Sequence, residues 1–219
     1  MDKVWKAKTI NLKEKEQWKL LYEQQATIKP EGNSIWLPKS DVMLFAGMLV
    51  YILHKIFQNL DIKTFVDVGC SDCMWQSKMD WSKVSYLGFD IVDELIEYNK
   101  KHYNMMKFET KNLIEDACPK ADMIFIRNVL LHTPLDGIKK ILMNVKRSGS
   151  KYLMASSLKD LRVNKETHCL GAVRRNLEIE PFNLPNPIIY VPEVLPSELK
   201  GLNNYMGVWR TCDIPNYEV

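Results

Sequence analysis

The constraint that bears most heavily on this chain is a repeating order of short apolar runs and helix-like segments. Residues 64–68 (TFVDV), 85–91 (SYLGFDI), 106–110 (MKFET), 121–129 (ADMIFIRNV) and 150–157 (SKYLMASS) each read as a strand. Residues 92–103 carry Leu95, Ile96 and Tyr98 on one side, and residues 134–147 set Leu135, Ile138, Ile141, Leu142 and Val145 at helical spacing. Strands that alternate with helices fold as right-handed crossover units around a parallel sheet covered on both faces. Ligands of such sheets bind beyond the carboxyl ends of the strands. The residues just after 68, 90, 110, 127 and 156 are therefore where chemistry is expected.

Beyond residue 180 the pattern breaks. PFNLPNP (181–187) is a loop, and 188–193 and 204–210 read as extended segments joined by a polar stretch. An antiparallel pair at one edge of the sheet is expected. The expected fold class is α/β: a Rossmann-like, doubly wound, mostly parallel sheet of about seven strands with an antiparallel C-terminal edge pair. Upstream, residues 1–25 interleave Lys and Glu around Trp5, Trp18, Leu20 and Leu21. A helix over about 11–25 is expected, either laid on the surface or serving as a lid. Residues 29–40 read as a loop, and Ser40 or Asp41 is placed to cap a helix over 41–59. The expected division is 1–40 as helix and loop, a candidate lid, and 41–219 as one domain. A length of 219 residues suits a single domain of that kind.

Composition excludes several classes. A net charge of +3 gives no basic footprint for nucleic acid. The run VMLFAGMLVYIL (42–53) is too short to span a bilayer of ~30 Å and reads as a buried helix. The polar N-terminus shows no signal peptide, so a cytoplasmic protein without a membrane partner is expected. The 5 cysteines, at 70, 73, 118, 169 and 212, are odd in number and suggest a reducing compartment. Cys70 and Cys73 have C-x-x-C spacing, but no second pair completes a zinc set, so no metal is expected.

At the end of the first run stands DVGCSDCMW (67–75). Gly69 lets backbone approach a ligand, Asp67 and Asp72 add carboxylates, and Asp90, with Ile91 beside it, ends the second run where ribose hydroxyls would bind. A dinucleotide loop needs G-x-G-x-x-G to hold a pyrophosphate. One glycine and two acids disfavour a pyrophosphate and suit a cation. S-adenosyl-L-methionine, with an ammonium, a sulfonium and no phosphate, is the cofactor this charge pattern favours.

These blocks resemble those of class I S-adenosylmethionine-dependent methyltransferases. VDVGCSDC resembles the first motif of that family, YLGFDIVDELIEYNKKHY the ribose-binding strand with its helix, and FETKNLIEDACPKADMIFIRNVLLHTP the third and fourth motifs. More narrowly, RNVLLH, KRSGSKYLMASS and EPFNLPNPI resemble blocks of a bacterial small-molecule subfamily whose substrates are mostly unassigned. The likeness covers about residues 31–212. It implies that Asp67 and Gly69 bind the methionine end, Asp90 the ribose, and Asn112 and Leu113 the adenine, with Arg127 and Asn128 below the sulfonium. Ser71 and Cys73 stand where the family has glycines, which puts the close backbone approach at issue there.

For the acceptor, His132 follows the fourth strand and is the candidate general base; the alternative is a histidine that shapes the loop. His168 is the reserve. Arg174 and Arg175 form either a basic wall for a hydroxylated or anionic acceptor or a solvated charge pair. Trp36 and Trp75 either stack on a ligand or pack. No Asp-Pro-Pro-aromatic stretch or Pro-Cys pair marks a base-modifying enzyme. The expected function is O-methylation of a small polar acceptor, such as a sugar or glycan precursor. A catalytically inactive binding protein of the same fold and an RNA or protein methyltransferase are the alternatives.

Overall fold

The computed structural model describes residues 15–20, 39–167, 171–193 and 203–219. Each apolar run becomes a strand: β1 (Thr64–Val68), β2 (Ser85–Asp90), β3 (Lys107–Thr110), β4 (Met123–Ile126) and β5 (Tyr152–Leu158). The C-terminal segments give β6 (Ile189–Pro192) and β7 (Asn204–Arg210). The helices are α1 (Lys39–Asn59), α2 (Asp93–His102) and α3 (Leu135–Arg147), and residues 15–20 are also helical. The sheet has seven strands in the order β3-β2-β1-β4-β5-β7-β6. β1 lies parallel between β2 and β4, while β7 runs antiparallel to both β5 and β6. The expected fold class, including its antiparallel edge pair, is the observed one.

Successive side chains of a strand point to opposite faces, and the core divides accordingly. Val66, Val68, Ile124, Ile126, Leu153 and Trp209 meet α3 through Ile138, Ile141, Leu142 and Val145. Phe65, Met123, Phe125, Met154, Met206 and Val208 meet α1 through Leu49, Leu53, Ile56 and Phe57. β1 and β4 are buried along almost their whole length; β4 is accordingly apolar throughout, and β1 is apolar but for Thr64 and Asp67.

Three expectations change. The segment around 42–53 is not buried on all sides: Met48 and Tyr51 are 46% and 65% exposed, opposite the face carrying Leu49 and Leu53. The strand expected over 121–129 ends at Ile126, because Asn128 takes a left-handed conformation with φ 57° and turns the chain out of the ladder. The crossover from β1 to β2 holds no α-helix, only a 3-10 turn at Gln76–Lys78. Trp81 fills the space instead, packed on Phe57, Phe65 and Tyr86 with ring centroids 6.2, 5.5 and 4.6 Å apart. Among the described residues, no helix is long and apolar enough to cross a membrane.

Gly207 and Ala155 lie opposite each other on β7 and β5. Their small size makes room for the Trp209 indole, which is 1% exposed and donates from Nε1 to Pro185 O at 2.7 Å. A Cβ at Gly207 would stand 2.2 Å from that ring. Gly207→Ala is therefore expected to cost about 1–3 kcal/mol, the usual penalty of overpacking, measured by urea denaturation against the parent.

Candidate functional site

The loop after β1 is pinned to β2. Gly69 N and Cys70 N both donate to Phe89 O at 2.8 Å. Gly69, Ser71 and Cys73 then adopt φ of 75°, 52° and 52°. The left-handed backbone is thus kept at positions where only the first residue is glycine. For L-residues that conformation costs roughly 1–2 kcal/mol each. Gly69 has a steric reason as well: a Cβ there would lie 2.4 Å from Val129 Cγ2.

What offsets the strain is visible in the contacts. Asn99 of α2 donates from Nδ2 to Ser71 O at 2.6 Å. Ser71 N donates to Asp90 Oδ2 and Val92 N to Asp90 Oδ1, both at 3.1 Å. Cys73 is buried, its thiol 3.7 Å from Cys70 O and 3.6 Å from the Tyr86 hydroxyl. Burial pushes the Asp90 carboxyl above the usual carboxylate range, against the pull of the Val92 and Ser71 N–H groups. Each Asp90 oxygen holds one backbone N–H and retains further acceptor capacity, which suits the two hydroxyls of a ribose. An adenosyl group fits this donor set.

Asp67 is placed beneath the loop. It is 2% exposed, and its Oδ2 accepts from Gln76 Nε2 at 2.7 Å and Tyr86 OH at 2.9 Å. Gln76 also donates to Cys70 O at 3.0 Å, so the acid steadies the loop through it. The direct ligand contact expected of Asp67 therefore meets a carboxylate that is already engaged. Asp72, partly buried, lies in the same loop, and its carbonyl accepts from Tyr103 OH at 3.2 Å. Trp75 packs on Phe125 with centroids 5.6 Å apart, inside the core beneath α1. Ile91 is partly buried beside Val92 and Leu95. Asn112 Oδ1 accepts from Ile114 N at 3.1 Å, a local turn after β3, and Leu113 is buried against α3.

The β4 end forms the other half. Arg127 Nε donates to Glu193 Oε1 at 2.8 Å, so the guanidinium is tied to the end of β6. Asn128 is exposed, and its N–H donates to Ser156 Oγ at 3.3 Å. A 3-10 turn follows at Leu130–His132. His132 Nδ1 lies 2.8 Å from Gly171 O. A carbonyl only accepts, so Nδ1 carries the proton and Nε2 keeps its lone pair. Burial pushes the imidazole below its ordinary range, and the neighbouring Arg175 adds to this. Arg175 is buried and donates to the carbonyls of Leu130, Lys165 and Thr133 at 3.3, 2.6 and 2.8 Å. It locks the loop to the turn and is not a solvated charge. Arg174 donates from Nη1 to Asn204 Oδ1 at 3.1 Å.

Trp36 and His168 lie outside the described residues. Five residues were not foreseen as site residues. Trp18 sets its ring edge-on to His132, centroids 5.1 Å apart and planes at 83°, and packs against the Val92 and Leu95 cluster. Lys15 pairs with Asp93 at 2.6 Å, and Lys19 pairs with Glu94. Glu193 and Asn204 reach the site because β6 ends and β7 begins at the same sheet edge as β4 and β5 end, a register legible once those two strands are paired. Among the described residues, no group of three or more His, Cys, Asp or Glu side chains could hold a metal ion.

No family model matches the chain, and no curated protein matches it. Solved structures do. Magnesium protoporphyrin IX methyltransferase (ChlM) from Synechocystis PCC 6803, with SAH bound, aligns at a TM-score of 0.64 and 13% identity, over 90% of this chain and 99% of that one. The methyltransferase domain of bacterial CtHen1-CN aligns at 0.54 and 13%, over 76% and 99%. The PH0226 protein from Pyrococcus horikoshii OT3 aligns at 0.58 and 10%, over 85% and 98%. At such identities the likeness is one of fold, and the chain has the class I methyltransferase fold.

Burial pushes the Asp67 carboxyl up to about 6, with the Gln76 and Tyr86 hydrogen bonds pulling the other way. Its folded value lies above its unfolded one, so the stability it contributes is full below pH ~4 and is lost as pH rises through ~6. Asp67→Asn is expected to flatten that decline, by roughly 2–3 kcal/mol between pH 4 and 7.5. Urea titrations of both proteins across this range check it.

Proposed function

We propose that this chain is an S-adenosylmethionine-dependent methyltransferase that methylates a hydroxyl of a small polar acceptor, with a sugar as the favoured class. The observation that carries this is one sheet edge where an Asp90-held loop and a histidine in its proton-accepting tautomer meet. That the loop keeps its left-handed turns with Ser71 and Cys73 favours a working site over a decayed one.

The cofactor supplies a methyl group already made electrophilic by its sulfonium. The work left to the protein is positioning and proton removal. Asp90 accepts the ribose hydroxyls, and its grip on Ser71 and Val92 fixes the loop and the first turn of α2 together. Nε2 of His132 takes the proton of the acceptor hydroxyl. The Gly171 carbonyl holds the opposite nitrogen and steadies the imidazolium as it forms. A lowered pKa keeps the imidazole neutral and able to accept at pH 7. Helical residues 15–20 act as a lid in this scheme: Trp18 closes over Val92 and Leu95 on the cofactor side and His132 on the acceptor side, and excludes water from both.

Two variants test the assignment. Asp90→Ala is expected to weaken S-adenosylhomocysteine binding about tenfold or more, as the loss of charged hydrogen bonds predicts; calorimetry showing unchanged affinity would remove Asp90 from the ribose site. His132→Ala is expected to lower turnover by about 10²-fold or more while leaving cofactor affinity within twofold. Equal turnover would leave His132 a structural residue.

A further inference from the structure

We infer that the acceptor carries an anionic group, a carboxylate or a phosphate, and that Arg174 receives it. The inference rests on the methyltransferase reading only for the word acceptor; the anion site itself stands on how Arg174 is partnered in one pocket.

That pocket opens at the ends of β4 and β5 and the start of β7. Asn128, Ser156, Ser157, Asn204 and Arg174 line it, above Leu130 and Leu131. The segment 171–175 runs beside the Leu130–His132 turn, with Val173 N donating to Leu131 O at 2.9 Å, so Arg174 and His132 belong to one wall. Three guanidinium groups surround this region, those of Arg127, Arg174 and Arg175. Arg127 and Arg175 have carboxylates near them, Glu193 and Asp67 beside the first and Glu166 beside the second, and both Glu193 oxygens are taken: Oε1 by Arg127 Nε at 2.8 Å and Oε2 by Asn204 Nδ2 at 2.6 Å.

Arg175 points its Nε and both Nη nitrogens at backbone carbonyls, so it is spent on structure. Arg174 differs. It is half-buried, and its partner is the neutral amide oxygen of Asn204. Among the described residues no carboxylate lies within ion-pair distance of it. A guanidinium has five N–H donors in a planar fork that matches a carboxylate or phosphate two bonds at a time. A partly desolvated guanidinium facing a pocket without a counter-charge is costly with a neutral ligand. With an anionic one it forms a charge-assisted pair. Asn204 sets the orientation: its amide oxygen holds one Arg174 nitrogen while its own nitrogen is anchored on Glu193, which in turn is anchored on Arg127. Four side chains thus link the ends of β4 and β6, the start of β7 and the 171–175 segment, and aim one fork that has no carboxylate at ion-pair distance among the described residues.

The test uses the full chain saturated with S-adenosylhomocysteine and titrated with glucose 6-phosphate, glucuronate and glucose, followed by NMR shifts. At least one of the two anions is expected to bind at least tenfold more tightly than glucose, and the better of them identifies the anion. Arg174→Gln is expected to weaken that anion about tenfold or more, and Arg174→Lys less, with S-adenosylhomocysteine affinity unchanged in both. Added salt should weaken the anion and leave glucose alone. Glucose binding as tightly as both anions, an anion affinity indifferent to Arg174→Gln, or no anion saturating at tens of millimolar would overturn the inference. If the anion binds through Arg174 but S-adenosylhomocysteine does not bind, the methyltransferase reading falls and the anion site stands; the reverse pattern leaves the methyltransferase and removes the anion site.

Discussion

One carboxylate holds the cofactor half of this protein together. Asp90 ends β2 and accepts a backbone N–H on each oxygen, one from the loop after β1 and one from the start of α2. Without it the loop would have little reason to keep two L-residues at positive φ. Asn99 adds a second hold from α2, and Phe89 O a third from β2. The consequence is that the ligand-facing backbone is positioned by the sheet and one helix, and not by the loop's own composition.

This bracing has a cost in unpaired polar atoms. Gln76 Oε1 and Asn99 Oδ1 are buried without a hydrogen-bond partner among the described residues. Such atoms cost about 1–3 kcal/mol each. Both side chains use their nitrogen to steady the loop, on Asp67 and Cys70 in one case and Ser71 in the other. The region around the loop therefore concentrates strain, a raised carboxyl and unpaired acceptors, while the aromatic and aliphatic packing under α1 and α3 supplies the stability that tolerates them.

Much of the frame was legible because it depends on periodicity. The run TFVDV is a strand over the same five residues expected, and NYMGVWR likewise. The helix 134–147 begins one residue later than its spacing predicts, and α1 begins at Lys39, two residues before the expected start. Where one interaction overrides local pattern, the sequence was silent. Nothing near Trp81 announces that an aromatic cluster replaces a crossover helix. Asp67 is a candidate ligand residue by position, but nothing local announces that its Oδ2 is also held by Tyr86, a residue of β2. Glu193 and Arg127 are far apart in sequence, and only the pairing of four strands, β4, β5, β7 and β6, brings them into contact.

The reversal of β7 has a consequence for how such a chain can change. In a wholly parallel sheet each strand offers one end to the ligand edge. Here β6 arrives at that edge and β7 departs from it, so the tail of the chain contributes two boundary residues, Glu193 and Asn204, from opposite strand directions. In the proposed reading, the half that grips the nucleoside lies across β1, β2 and β3, and the half that meets the second substrate lies across β4, β5 and this hairpin. The molecule is in this sense two editable modules sharing a seam between β1 and β4. Substitutions at the hairpin's ends can then retune substrate choice while the strained half is left untouched.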